Sequence, residues 1–346
     1  MVGTGKGKAD LLLEIEDLEV EFQTINGVVR VIDGVNLRIH RGESVALVGE
    51  SGSGKSVTAM SILRLLREPP ARISGSIRLH HRDRAGVTEL ARSDLTGREL
   101  QSIRGSEIAM IFQEPMRALS PVFTVGHQVA EAIWLHQKMS KTEANAAAVE
   151  ALDMVGIPEP IRAADSYPHS LSGGQLQRVM IAMALACKPV LLIADEPTTA
   201  LDVTIQAQIL ELLKDFQKSL NLAVLLITHD LGVVAGFCSS MNVMYMGQVV
   251  ERGPINQVFE NPAQPYTQGL LKSVTVPGQN FKERFPSIRG SVPDPMDLPE
   301  GCAFGPRCDL FEKGLCDKLG AVPPIETGPE HTARCYRTEL SLDDPV

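Results

Sequence analysis

The chain has 346 residues, of which 44% are hydrophobic and 22% are charged, and its formal net charge is −9 at pH 7. A length well above about 150 residues predicts more than one domain. This hydrophobic content excludes a chain that is disordered throughout, because it is enough to bury a core. The acidic balance argues against a broad nucleic-acid-binding surface. No apolar stretch reaches the ~18 residues of a membrane span and no signal peptide is visible, so we expect a cytosolic protein.

The first half of the chain predicts a short strand-rich region followed by helices. After a predicted flexible tail over residues 1–10, Gly, Asn and Asp turn signals separate four predicted strands, which are Glu19–Phe22, Val28–Ile32, Asn36–Ile39 and Ser44–Val48. A helical period then runs from Gly54 to Arg67, before two prolines. Further strands are predicted over residues 76–81 and 108–112, and residues 125–175 are predicted to be mostly helical.

The second half predicts a parallel α/β core and then an appendage. Ser140 and Glu143 form a capping box that opens a helix, which Gly156 closes. From Val190 onward strand and helix patterns alternate, which is typical of a largely parallel sheet. From residue 261 frequent prolines break any long helix or strand. We therefore expect a separate appendage after the α/β core.

A glycine-rich segment carries the first chemical motif. Gly49-Glu-Ser-Gly-Ser-Gly-Lys-Ser56 matches G-x-x-x-x-G-K-[ST], follows an apolar strand and opens a helix, as this motif requires. The backbone N–H groups of such a loop bind phosphates, the lysine reaches the β- and γ-phosphates, and the following hydroxyl binds Mg²⁺. The predicted phosphate-binding residues are Gly49, Ser51, Gly52, Ser53, Gly54, Lys55, Ser56 and Val57.

A second motif is an apolar strand that ends in two adjacent carboxylates, Asp195 and Glu196. Neighbouring carboxylates repel each other, and a cation relieves that repulsion. We therefore predict that Asp195 holds Mg²⁺ and that Glu196 is the general base for an attacking water. The alternative is a solvated turn after a core strand.

A third motif precedes that strand. Its residues are Leu171, Ser172, Gly173, Gly174 and Gln175, and they run directly into a helix-forming segment. A second glycine-rich helix N-terminus predicts a second phosphate contact. An ordinary loop with a serine cap is the alternative, which the position of the motif before the carboxylate strand disfavours.

The order of these motifs resembles that of ABC-type ATPase subunits over residues 11–260. Gln113, the segment Ala200-Leu201-Asp202 and His229 complete the pattern. Residues 111–116 (IFQEPM), 167–169 (YPH) and 195–202 (DEPTTALD) are similar to the ATP-binding subunits of dipeptide and oligopeptide importers. The segment over residues 301–308 looks like the C-terminal extension of that subfamily.

This resemblance implies an α/β fold: a P-loop NTPase (RecA-like) ABC cassette with antiparallel β and α-helical subdomains, and a small irregular C-terminal domain. The cassette would occupy residues 11–260, with the helical subdomain at about 115–178, and the extension residues 261–346.

The resemblance also implies roles for residues outside the three motifs. Gln113 would contact Mg²⁺ or the attacking water, and His229 would contact the γ-phosphate beside Glu196. Asp202 would lie in the D-loop that reaches a partner cassette. Phe22 would stack on the adenine, with core packing as the alternative. The signature segment Leu171–Gln175 would close on ATP held by the partner cassette.

The implied function is coupling of ATP hydrolysis to uptake of dipeptides or oligopeptides, with ATP and Mg²⁺ as cofactors. The implied partners are a second ABC ATPase subunit, with a heterodimer favoured, two transmembrane permease subunits and an extracytoplasmic solute-binding protein, but no nucleic acid. The chain would lie peripherally on the cytoplasmic face of the inner membrane.

Three alternatives to this function stay open. The first is an importer ATPase for another solute, such as glutathione or a nickel chelate. The second is a soluble ABC ATPase of DNA repair or translation, and the third is an iron–sulfur sensor with a vestigial ATPase.

Four of the six cysteines crowd the end of the chain: Cys302, Cys308, Cys316 and Cys335. Clustered cysteines in a reducing cytosol suggest a metal site before disulfides. Their loose spacing lacks the close pairs of structural zinc sites and suits an iron–sulfur cluster better. The resemblance points to a [4Fe–4S] cluster, while zinc and free thiols that stabilise the appendage stay open as alternatives.

Overall fold

The computed structural model describes residues 10–81, 86–92, 94–199, 201–273 and 288–339. Most of the predicted amino-terminal tail, residues 1–9, and Ala200 of the predicted D-loop motif lie outside the described residues. The chain divides into two compact units, which are described separately below. The first unit comprises residues 1–12, 39–43 and 79–227, and the second comprises residues 13–38, 44–78 and 228–346.

The described residues form a mixed α/β structure. The strands are β1 Leu11–Thr24, β2 Gly27–His40, β3 Ser44–Val48, β4 Ala71–His80, β5 Val87–Glu89, β6 Ile108–Ile111, β7 Leu191–Asp195, β8 Ala223–Thr228, β9 Ser240–Tyr245, β10 Gln248–Pro254, β11 Ile325–Gly328 and β12 His331–Ala333. The α-helices are α1 Lys55–Ile62, α2 Gly97–Ile103, α3 Pro115–Ala118, α4 Val125–His136, α5 Lys141–Met154, α6 Pro160–Ala164, α7 Gly173–Leu185, α8 Val203–Leu220, α9 Leu231–Phe237, α10 Ile255–Glu260 and α11 Pro265–Lys272. In the described part of the chain, no helix combines the length and hydrophobicity that a membrane crossing requires.

In the second unit the amino-terminal strands are longer than predicted. Strands β2, β1 and β4 are neighbours in one sheet, and a two-residue turn joins β1 to β2. The two predicted strands Val28–Ile32 and Asn36–Ile39 are one strand, because Gly34 adopts a φ of +67° without ending it. A glycine inside a strand commonly marks such a local irregularity rather than a turn.

The second unit also holds a sheet that combines the phosphate-loop strand with the carboxy-terminal strands. β3 pairs in parallel with β9, β9 pairs antiparallel with β10, and β10 pairs antiparallel with β12. β12 in turn pairs with β11. Every residue of β3 is buried, as expected for a strand covered on both faces. The carboxy-terminal segment thus contributes strands to the sheet that carries β3.

The first unit contains the predicted parallel core. β6 pairs in parallel with β7, and β7 pairs in parallel with β8. All residues of these three strands are buried, which explains their continuous apolar sequence. Because parallel strands share a direction, the residues that follow β6 and β7 lie at the same edge of the sheet.

Helices α3 to α7 of the first unit cover most of the predicted helical region. The capping box predicted at Ser140 and Glu143 is present and begins α5, which ends at Met154 just before Gly156. On α8 the fully buried residues are Ile209 and Leu213. Helix α1 of the second unit ends at Ile62, earlier than the predicted Arg67, because Arg64 adopts a left-handed backbone with φ +52°.

Candidate active site

The glycine-rich loop of the second unit connects β3 to α1, as the motif predicts. Gly49 has a φ of +151°, and a Cβ there would lie 2.2 Å from the carbonyl oxygen of Met244. Gly54 precedes α1 with a φ of +102°, and its Cβ would lie 2.6 Å from Cδ1 of Ile32. Both positions therefore require glycine for the loop to curve tightly against its neighbours.

Lys55 begins α1 and is 6% exposed. Its Nζ donates hydrogen bonds to the carbonyl oxygens of Gly49 at 2.8 Å and Glu50 at 2.9 Å, so the side chain folds back over the loop. The first turn of α1 contains no acidic residue, and Ser56 lies in that turn. The loop therefore combines a helix N-terminus with an adjacent ammonium group, and both attract a phosphate.

In the first unit the two predicted acids follow the buried strand β7. Asp195 is its last residue and is only 4% exposed. Glu196 adopts a left-handed backbone with φ +47°, and its N–H donates to the carbonyl oxygen of Ile227 at 2.8 Å. Such a backbone costs about 1 kcal/mol or more for a non-glycine residue and is found preferentially at functional sites.

The Glu196 carboxylate meets the glutamine that the resemblance singled out. Its Oε2 accepts hydrogen bonds from Nε2 of Gln113 at 2.9 Å and from Oγ1 of Thr199 at 2.9 Å. Gln113 reaches it because β6 and β7 end at the same edge of the sheet. The amide and the hydroxyl hold the carboxylate in one orientation, which a general base requires. Thr199 was not predicted as a site residue, although its place three residues after Glu196 in a turn was a usable signal.

The signature segment lies at the N-terminus of α7 in the first unit. Ser172 and Gln175 form a reciprocal capping box: the Ser172 hydroxyl accepts from the Gln175 N–H at 3.3 Å, and the Gln175 amide oxygen accepts from the Ser172 N–H at 2.9 Å. A Cβ on Gly174 would lie 3.0 Å from Cγ2 of Ile205 in α8. Asp202 caps α8 by accepting from the Ile205 N–H at 3.0 Å. The signature and the predicted D-loop residue are therefore neighbours.

Two predicted site residues lie elsewhere in the second unit. His229 follows β8 and is exposed. Phe22 is half-buried within β1. Within the first unit the structure therefore joins Gln113 to Glu196, and it places the signature beside Asp202.

The phosphate loop has contacts with the carboxy-terminal segment that the sequence did not predict. Arg307 donates from Nη1 and Nη2 to the Glu50 carboxylate at 2.6 and 3.0 Å. The Glu50 N–H donates to the hydroxyl of Tyr266 at 2.8 Å. Arg307 and Glu50 are 257 positions apart, so no local pattern could have paired them.

The four carboxy-terminal cysteines all line one pocket of the second unit, together with apolar residues such as Phe304 and Leu310. Burial raises the pKa of Cys308 to about 12 and that of Cys335 to about 11, which favours neutral thiols. However, the described residues contain no group of three or more His, Cys, Asp or Glu side chains that could hold a metal ion. The side-chain arrangement thus does not support the predicted [4Fe–4S] ligand set of Cys302, Cys308, Cys316 and Cys335.

Comparisons with known proteins agree with these motifs. The family described as ABC transporter matches residues 32–199, and the C-terminal region of oligopeptide/dipeptide transporters matches residues 250–316. The chain is 47% identical over 333 residues, 96% of each chain, to a probable peptide ABC transporter ATP-binding protein of Sinorhizobium fredii. It is 48% identical over 324 residues, 94% of each chain, to a protein of Brucella melitensis described as a peptide import ATP-binding protein.

A solved structure extends the comparison to three dimensions. A dimeric ATP-binding cassette, in a post-hydrolysis state bound to ADP and Pi, matches with a TM-score of 0.61 and 30% identity, over 70% of this chain and 99% of that chain. The chain therefore belongs to the ABC transporter family of ATP-binding proteins. It is an ATPase with the predicted P-loop NTPase cassette fold, and its carboxy-terminal segment is of the oligopeptide/dipeptide transporter type.

Proposed function

We propose that this chain is the ATP-hydrolysing subunit of a membrane importer of dipeptides or oligopeptides. The observation that carries the proposal is the Glu196 carboxylate, which Gln113 and Thr199 orient at the end of β7. The assignment to peptides is supported by the relatives described as peptide transporter ATP-binding proteins and by the match of residues 250–316. The test is ATP-dependent uptake of labelled peptides by cells that carry or lack this chain.

In the proposed mechanism the phosphate loop binds the triphosphate of ATP through its backbone N–H groups and Lys55. Mg²⁺ would be held by Ser56, Gln113 and Asp195, whose hydroxyl, amide and carboxylate oxygens are the hard ligands that this ion prefers. The buried Asp195 carboxylate fits this role, because a cation offsets the cost of burying a negative charge. When bound, Mg²⁺ would neutralise charge on the phosphate oxygens.

Glu196 would take a proton from the water that attacks the γ-phosphate. The hydrogen bonds from Gln113 and Thr199 to Oε2 hold the carboxylate in the fixed orientation that this proton transfer needs. His229 would donate a hydrogen bond to the γ-phosphate, and the half-buried Phe22 would stack on the adenine.

We further propose that two cassettes act as a pair. Ser172 and Gly173 are exposed at the N-terminus of α7, as a contact with ATP on a second subunit requires. The similar cassette described above is dimeric. A heterodimer with a related ATPase subunit is favoured. Two permease subunits and an extracytoplasmic binding protein would supply the solute path, with this chain at the cytoplasmic face of the inner membrane.

The four-cysteine pocket is proposed as a [4Fe–4S] site. Although the cysteine side chains do not form a metal-holding group among the described residues, all four line one pocket, and thiolates are the ligands of such clusters. Protein prepared without oxygen is expected to contain iron and inorganic sulfide in equal amounts, and Cys308→Ser to lose most of both. Cys187→Ser, which changes a cysteine outside the pocket, is the control and is expected to retain them. Zinc in place of iron, or no metal in the anaerobic protein, would contradict the proposal.

A further inference from the structure

The second residue of the phosphate loop, Glu50, is held by a buried arginine from the carboxy-terminal segment. Arg307 is 5% exposed, and its guanidinium forms a bidentate ion pair with the Glu50 carboxylate. Its Nε donates to the carbonyl oxygen of Arg289 at 2.9 Å. Bidentate pairs of this kind fix both the distance and the orientation of the guanidinium relative to the carboxylate. The Glu50 side chain is therefore fixed relative to the segment that carries Arg307.

A second contact holds the backbone of the same loop residue. The Tyr266 hydroxyl accepts the Glu50 N–H, and the Tyr266 ring is fully buried. Its ring centroid lies 4.7 Å from that of Tyr245 and 5.4 Å from that of Phe304. The Arg307 guanidinium carbon lies 5.8 Å from the Tyr245 centroid, within the range of a cation–π contact. Side chain and backbone of Glu50 are thus held by one packed cluster.

The ion pair also controls the charge of the loop. Glu50 places a carboxylate in a segment whose ligand is a polyphosphate anion, and like charges at short range repel. Arg307 neutralises this carboxylate. Without Arg307 the loop would lose the ion pair that holds Glu50 in place, and the Glu50 carboxylate would be an uncompensated negative charge. Both changes weaken phosphate binding.

The position of Arg307 depends on the cysteine segment. It ends the 3₁₀ turn Gly305–Arg307, directly between Cys302 and Cys308. The Gly305 N–H donates to the Cys302 carbonyl oxygen at 2.8 Å, and the Cys308 N–H donates to the Gly305 carbonyl oxygen at 3.1 Å. The turn that positions Arg307 is therefore hydrogen-bonded to the backbone of both cysteines.

We propose that Arg307 is a positioning residue for nucleotide binding, which sets the geometry and charge of the phosphate loop through Glu50 and so makes ATP affinity depend on the four-cysteine segment. The inference rests on the proposed ATPase mechanism and adds a residue and a route of regulation to it. It holds for the thiol form of the segment as well as for a metal-bound form, because the contacts are made by Arg307 and Tyr266.

The test is a double-mutant comparison read by direct binding of a fluorescent ATP analogue and by ATPase kinetics. Arg307→Met is expected to weaken ATP binding and raise KM by about tenfold or more, with a much smaller change in kcat. Glu50→Gln combined with Arg307→Met is expected to recover affinity to within about threefold of the wild type, because the repelling charge is gone. Arg162→Met, which removes an exposed arginine paired with Glu159 at 3.3 Å in the first unit, is the control and is expected to bind ATP normally.

Thermal unfolding of each variant separates a positioning role from a loss of folding. If Arg307→Met does not fold, Arg307→Lys is used instead. It keeps the positive charge without the bidentate geometry and is expected to raise KM by a smaller factor. Wild-type affinity in a folded Arg307→Met, or a double variant as weak as the single one, overturns the inference. Absence of hydrolysis in the wild-type importer would instead refute the proposed function, and the binding measurement keeps the two failures apart.

Discussion

Glu196→Gln is expected to abolish most ATP turnover while leaving ATP binding intact. The substitution keeps an oxygen that can accept the hydrogen bonds of Gln113 and Thr199 but removes the basic carboxylate. Loss of a general base typically slows hydrolysis by about 10²- to 10⁴-fold. The measurement is phosphate release at saturating MgATP, together with the dissociation constant for ATP.

Glu114→Gln is the matched control for this prediction. Glu114 is exposed, adjoins Gln113 and forms a surface ion pair with Arg117 at 2.8 Å. Its variant is expected to hydrolyse ATP at the wild-type rate. ATP hydrolysis by Glu196→Gln at a rate close to that of the wild type would refute the general-base assignment. Loss of ATP binding would show that the side chain has a structural role instead.

Lys55→Met is expected to have the second-largest effect, on binding rather than on turnover. The buried ammonium lies against the carbonyl oxygens of Gly49 and Glu50 at the start of α1. A charge-assisted hydrogen bond to a phosphate is worth about 1.5–3 kcal/mol, so its loss should weaken ATP binding by about 10- to 100-fold.

The ATP dissociation constant, measured by calorimetry, tests the Lys55 prediction. Lys218→Met, which removes an exposed lysine of α8, is expected to leave the dissociation constant unchanged. Lys55→Met with wild-type ATP affinity would show that the phosphates bind without this ammonium group.

Sequence motifs predicted the parts of the site that are local in the chain. Composition and spacing were sufficient to predict features that depend on neighbouring residues in the chain. These features are the glycines at positions 49 and 54, the ends of β3 and β7, and the capping residues of α5. The turn predicted at Gly34 is instead part of β2, because the strand tolerates a positive φ at this glycine.

Contacts between distant segments could not be predicted in the same way. The hydrogen bond between Gln113 and Glu196 depends on the parallel pairing of β6 with β7, and the motif order alone does not reveal it. The ion pair between Glu50 and Arg307 depends on how the carboxy-terminal segment packs against the phosphate loop. Such pairings are set by tertiary structure, and a single sequence carries no periodic signal for them.

The carboxy-terminal segment packs with the part of the chain that carries the phosphate loop. It adds β12 to the sheet that contains β3, and it contacts the phosphate loop through Arg307. Its four cysteines line one pocket together with Phe304 and Gly305 of the same short turn. The coupling proposed through Arg307 would let the ATPase respond to the state of this segment without any change in the catalytic residues.

Peptide uptake tests the central claim most directly. A strain lacking this chain is complemented with the wild-type chain, with Glu196→Gln or with Glu114→Gln, and the initial rate of uptake of radiolabelled di- and oligopeptides is measured. The wild-type chain and Glu114→Gln are expected to restore uptake, and Glu196→Gln is expected to give none above the deletion strain although it is produced at the same level. Equal uptake with Glu196→Gln, or peptide uptake that does not depend on this chain at all, would contradict the proposal.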